Sequence, residues 1–145
     1  MMNNHHFIIL LANMNTSNIS TMLEKYCAAF RPGNAKSIAQ FYHCPATVFA
    51  NGMMITLSNR ADIENMLSAG LCALESRDFS HSNITSMHIH PFSDDVVLVS
   101  ASFSRLSTKG DVLENIAATY TLFNAPEADW QIATLIAHNT DQLIA

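Results

Sequence analysis

The chain has 145 residues, of which 49% are hydrophobic and 13% charged, with a formal net charge of −5. That length suits one domain with a real buried core, and the composition lies far from disorder. Nucleic acid is excluded as a partner: the seven basic residues are scattered and no two are adjacent, whereas backbone binding needs clustered Lys and Arg. So low a charged fraction also implies that a partner subunit covers some apolar surface.

Residues 1–15 read as a tail and residues 16–145 as the domain. The run FIILLA at residues 7–12 lacks a basic n-region and is too short for a signal peptide or a membrane span, so no membrane is expected. His5 and His6 read as tail residues. Met14 is an alternative start, because the polar cluster Thr16-Ser17-Asn18 that can cap a helix follows it at once. Cys27, Cys44 and Cys72 cannot all pair and match no zinc spacing, which predicts reduced thiols in a cytoplasmic protein.

A first helix is predicted over residues 17–31. Ile19, Met22, Leu23, Tyr26, Cys27 and Phe30 recur at three and four, and Pro32-Gly33 ends the run. Asn34 caps a short second helix, predicted to reach Tyr42 before Pro45 stops it. Residues 46–50 and 53–57 flank Asn51-Gly52, the strongest hairpin signal in the chain. Ser58 or Asn59 caps a third helix to about residue 76, with Ile63, Met66, Leu67, Leu71 and Leu74 as its buried stripe.

Strands follow: residues 80–90, 96–106, 112–123 and 130–138. In the second of these, Val97, Val99, Ala101 and Phe103 alternate with Ser100, Ser102 and Ser104. Helices first and long consecutive strands after them define an α+β domain. The third of these strands carries Ile116, Ala118, Tyr120 and Leu122 on one face, and Leu113, Ala117 and Phe123 on the other. Helices cover one face only, so the other is expected to pair with a second subunit as a homodimer.

The stretch EKYCAAFRPGNAKSIAQFYHCPATVFANG, residues 24–52, resembles the opening of the nuclear transport factor 2-like superfamily. The likeness rests on Tyr26-Cys27-Ala28-Ala29-Phe30, then Gly33-Asn34, Ile38 to Tyr42 and Ala46-Thr47-Val48. It implies the cone-shaped, cystatin-like α+β fold shared with ketosteroid isomerases and SnoaL-type cyclases: three helices in the concavity of a curved, mostly antiparallel sheet. It also implies a pocket and homodimerisation.

Ketosteroid isomerases join a helix-one tyrosine and a late-strand acid as an oxyanion hole, with an aspartate base after the first strand. Tyr26 matches the tyrosine. The base position falls near Ala50, with Asn51 beside it, and the late-strand acid falls near Thr119. Neither position can move a proton, so the isomerase chemistry is not supported. The resemblance also turns Asn115, Ala117, Thr119 and Thr121 toward the cavity, against simple alternation, and that orientation is the one expected here.

Histidine titrates near neutrality, which makes His138, at the end of the last strand, the candidate for proton transfer beside Tyr26. An apolar pocket is expected from Tyr26, Phe30, Phe41, Tyr42 and Phe49, completed by Phe103, Thr119, Trp130 and His138. His88 and His90 share a strand face and could join His138 as zinc ligands, but they read as solvated strand-end residues. His43-Cys44 reads as loop packing rather than a catalytic dyad. Neither metal nor cofactor is expected. The function these residues favour is binding of a small apolar ligand by a dimer. The alternatives are a SnoaL-like isomerase, lyase or cyclase using Tyr26 or His138, and a dimeric interaction module without a ligand.

Overall fold

The structure, a computed structural model, describes residues 18–126 and 129–145. The expected tail at residues 1–15 lies outside the described residues. The first helix, α1, covers residues 18–29 and buries Ile19, Met22, Leu23, Tyr26 and Cys27, the stripe that a 3.6-residue period places on one side. Its last turn tightens through i→i−3 hydrogen bonds from the Phe30 and Arg31 amides to the Cys27 and Ala28 carbonyls. Gly33 then reverses the chain at φ +69°, a region where glycine pays no steric penalty.

The second helix, α2, is Ala35–Ala39, with the Asn34 side chain accepting from the Ser37 amide at 3.2 Å. It is shorter than expected. Tyr42 belongs to the first strand, β1 (Tyr42–Ala50), which therefore contains Pro45 rather than starting after it. Proline lacks an amide donor, and here that costs little. Between Tyr42 and Thr47 the register of β1 with its neighbour β6 (Trp130–His138) is irregular, and pairing with β2 (Met53–Leu57) begins only at Ala46. The intervening turn has Asn51 at φ +53° and Gly52 at φ +73°, the two left-handed residues that a two-residue hairpin needs. Helix α3 (Arg60–Glu75) starts from Asn59, whose side chain accepts from the Asp62 amide at 2.9 Å, and buries Ile63, Leu67 and Leu74. The Arg60 guanidinium donates to the Ala39 carbonyl and joins the start of α3 to the end of α2.

Strands β3 (Phe79–Pro91), β4 (Val96–Ser107) and β5 (Val112–Asn124) complete a curved six-stranded sheet in the order β2-β1-β6-β5-β4-β3. Only the β1–β6 pair is parallel. One face packs on the helices: Val97, Val99, Ala101 and Phe103 of β4 pair with Leu122, Tyr120, Ala118 and Ile116 of β5. The Ile19, Leu23 and Tyr26 side chains of α1 close this core.

The expected orientation of β5 is corrected here. Thr119 pairs with Ser100, and Asn115 with Ser104, on the face away from the helices. Strict alternation, not the family likeness, decides the strand, because Tyr120 and Leu122 bury far more apolar surface against α1 than threonines could.

That outer face carries its own cover. After β6 a short 3-10 helix, Thr140–Gln142, carries the chain back over the sheet. The Ile144 amide donates to Ser100 Oγ at 3.0 Å, and His90 Nε2 donates to the Ile144 carbonyl at 3.1 Å. Ser100 is thereby 0% exposed although it lies on the outer face.

Candidate functional site

A cavity of about 370 Å³ opens at the end of the sheet where β6 finishes. Its walls come from Tyr26, Cys27 and Phe30 of α1, Leu74 of α3, and Phe79 and Ser82 of β3. Phe103, Arg105, Ile116, Ala117, Ala118 and Tyr120 line it from β4 and β5, with Leu135, Ala137 and His138 from β6 and Ala50-Asn51 from the hairpin, so that of the β5 residues expected at the cavity Ala117 does border it. The volume falls within the range of about 300–1,000 Å³ typical of small-molecule sites.

Tyr26 stands at the inner wall. Its ring meets those of Phe30, Phe41, Tyr42 and Tyr120 edge to face, at centroid distances of 5.2, 5.7, 5.8 and 6.2 Å. Such contacts orient the ring beyond what burial alone would do. Its hydroxyl oxygen lies 2.5 Å from that of Tyr42, and either can donate. When Tyr42 donates, the Tyr26 proton is free to turn toward the cavity.

Burial, with the neighbouring tyrosines adding to it, drives the Tyr26 phenol well above its ordinary value. Tyr42 is pushed up to about 12 by burial, partly offset by the Tyr26 hydrogen bond. Cys27 is pushed up to about 12 by burial alone, so it is a packed thiol and not a nucleophilic thiolate.

Tyr120 and Arg105 were not singled out by sequence reasoning. Tyr120 is 4% exposed, and burial, then the proximity of Tyr42, raises its phenol well above the usual value. Arg105 follows Phe103 by two on β4 and so shares the inner face; carrying that alternation one step further would have found it. Its Nη1 lies 2.6 Å from Glu114 Oε1, which also receives Arg77 Nη1 at 2.8 Å. Desolvation would raise the Glu114 carboxyl, but the hydrogen bonds and charges of the two arginines outweigh it and hold the carboxyl below its ordinary value.

Of the residues expected in the pocket, Tyr26, Phe30, Phe103 and His138 line this cavity. Tyr42 sits fully buried behind Tyr26. Phe41 and Trp130 instead border a depression of about 670 Å³ at the other end of β6, whose rim includes Asn18 and Asp129, chain neighbours of undescribed residues. Phe49 pairs with Ile136 and Met54 on the exposed outer face of the sheet, because it alternates with the inward-facing Val48. Thr119 is on the outer face, as its pairing with Ser100 requires.

His138 is engaged with that outer face. Its Nδ1 lies 2.8 Å from the Asn139 carbonyl oxygen, which can only accept, so Nδ1 carries the proton. In the neutral ring Nε2 then accepts from the Thr119 hydroxyl at 2.7 Å. Thr119 in turn accepts from Ser100 at 3.0 Å, and Ser100 accepts from the Ile144 amide. The chain of donors runs one way, from the C-terminal segment to the imidazole. Tyr26, Thr119 and His138 therefore do not converge.

His43 Nδ1 donates to the Pro45 carbonyl at 2.9 Å and not to Cys44. Among the described residues no group of three or more His, Cys, Asp or Glu side chains could hold a metal ion, and no helix is long and apolar enough to cross a membrane.

A curved sheet wrapped on three helices, with an apolar-walled cavity open at one end, defines the nuclear transport factor 2-like class of α+β proteins. Residues 16–140 match the family described as NTF2-like protein (DUF6841), and the chain belongs to that family. A search of curated proteins finds no match. Among solved structures, the chain is similar to an NTF2-like protein with a cystatin-like fold from Novosphingobium aromaticivorans. The TM-score is 0.73 at 14% identity, over 98% of this chain and 93% of that one. A protein from Catenulispora acidiphila in complex with S-DNPA aligns with TM-score 0.68 and 13% identity, over 86% of this chain and 94% of that one. The UBP3-associated protein BRE5 of yeast aligns with TM-score 0.65 and 15% identity, over 88% and 94%. At these identities the likeness speaks for the fold alone.

Proposed function

We propose that this protein binds a small, largely apolar molecule in the cavity between α1 and the inner face of β4 to β6. The observation that carries the reading is the cavity wall itself: Phe30, Leu74, Phe79, Phe103, Ile116 and Leu135 supply apolar surface around a few fixed polar groups. The Catenulispora acidiphila protein of similar fold is described in complex with S-DNPA. BRE5 is named for its association with another protein, so the fold by itself does not choose between a binding pocket and an interaction module. An isomerase, lyase or cyclase has less support here. The Tyr26 hydroxyl is paired with Tyr42, both His138 nitrogens are engaged elsewhere, and no carboxylate lines the cavity.

The test is native mass spectrometry of the purified protein, together with titration of a neutral solvatochromic dye such as Nile red. Saturable binding that Ala118→Leu weakens supports the reading, since Ala118 lines the cavity and a larger side chain would fill it. Binding unaffected by that substitution counts against it.

The same reading includes a homodimer through the outer sheet face. Phe49, Met54 and Ile136 sit beside one another in the strand register and are 38%, 67% and 42% exposed. A second copy covering them would remove that apolar surface from water. Light scattering coupled to size exclusion measures the mass directly.

A further inference from the structure

We propose that the ligand of this cavity is an amphipathic acid: its anionic group lies against Arg105 at one end, and an oxygen acceptor reaches the Tyr120 hydroxyl further in. The inference rests on the cavity being a binding site and adds the chemical class of the occupant.

Charge is the first argument. The chain carries a formal −5, yet no aspartate or glutamate lines the cavity, and Arg105 is the one lining residue whose side chain is always charged. Glu114 does not cancel it. That single carboxylate is shared between Arg105 and Arg77, which leaves one positive charge in excess within the cluster. Only Arg105 Nη1 has a partner among the described residues, so the other donors of its guanidinium remain available. A planar fork of this kind suits a carboxylate.

Tyr120 is the second and independent argument. It is 4% exposed, and its hydroxyl has no hydrogen-bond partner among the described residues. No fully occluded side-chain nitrogen or oxygen lacks a partner there, so the phenol oxygen must open onto space. The space it borders is the cavity. A buried hydroxyl without a protein partner leaves a donor and an acceptor position that a ligand can satisfy.

The two groups are spaced by Phe103. Its ring packs edge to face on Tyr120 at 6.4 Å, and Arg105 follows it by two along the same strand face. The apolar body of the ligand would lie along Phe103 between its two polar ends. Tyr26, beside Tyr120 at 6.2 Å, closes the inner wall.

Three probes separate this proposal from the simpler pocket reading: naphthylacetamide, naphthylacetic acid, and a naphthylacetic acid with a methoxy oxygen on the remote ring. Each is titrated by fluorescence at fixed ionic strength. The expected result is that the acid binds at least about tenfold tighter than the amide. Arg105→Gln abolishes that preference, Arg105→Lys keeps part of it, and Tyr120→Phe removes the gain conferred by the methoxy group. Circular dichroism and cooperative thermal unfolding show that each variant folds. Equal binding of acid and amide by the native protein overturns the proposal and leaves the pocket standing. Binding of none of the three overturns both.

Discussion

The hydroxyl oxygens of Tyr26 and Tyr42 lie 2.5 Å apart in the buried centre of the fold, one from α1 and the other from the first residue of β1. The pair ties the helix to the sheet at the inner wall of the cavity. Removing either hydroxyl strands a buried partner, so Tyr42→Phe is expected to cost about 1–3 kcal/mol of stability. Tyr26→Phe is expected to cost a similar amount. The double variant should lose less than the sum, because the second deletion has no bond left to break. Urea midpoints of the four proteins measure this; strictly additive losses would mean that the two oxygens do not interact.

Thr119 is a structural hydroxyl of the outer face. Thr119→Val interrupts the path from Ile144 through Ser100 to His138 while nearly keeping side-chain shape. The expected outcome is a stability loss of about 1–3 kcal/mol with faster amide exchange at Ile144. Affinity for a neutral cavity probe should not change. A selective loss of probe binding would put Thr119 back at the cavity.

The Glu114 carboxylate predicts a pH effect. Its folded pKa is lowered by two arginines, so its stabilising contribution is fully present above the unfolded carboxylate value of about 4.3 and is lost as pH falls through the folded value. Native protein should therefore exceed Glu114→Gln in stability at neutral pH, and the gap should close on acidification. Denaturant midpoints at pH 7 and pH 3 read it. A gap that is constant with pH would show that the ion pairs contribute nothing, as exposed pairs often do.

Ile136→Lys places a charge at the proposed dimer face, at a position that is already 42% exposed in the single chain. The expected outcome is a halved mass in light scattering with little change in unfolding of the monomer at low concentration. A native protein that is monomeric throughout would remove the interface.

Local signals along the chain were enough to place the elements and to point to the family. The period of α1, the caps at Asn34 and Asn59, the Asn51-Gly52 turn and the β4 alternation are local signals, set by backbone sterics and by which side chains can face water. They fixed the helices and strands to within a few residues, except at Tyr42. There Pro45 reads as a stop, but it sits inside a strand because the irregular register with β6 asks no amide of it.

Tertiary structure alone decided which groups meet. Sequence spacing could not say that Thr119 would turn outward to Ser100 and His138, since both faces of β5 are apolar enough to be buried. Nor could it say that residues 143–145 would return across the sheet and bury a serine. The likeness to the nuclear transport factor 2-like superfamily drew attention to Tyr26 and His138. The packed fold instead places Tyr120 and Arg105 at the cavity wall, each with hydrogen-bonding capacity that no described residue takes up. That assignment comes from long-range pairing, in which burial of Tyr120 against Tyr26 outweighs every local preference of its strand.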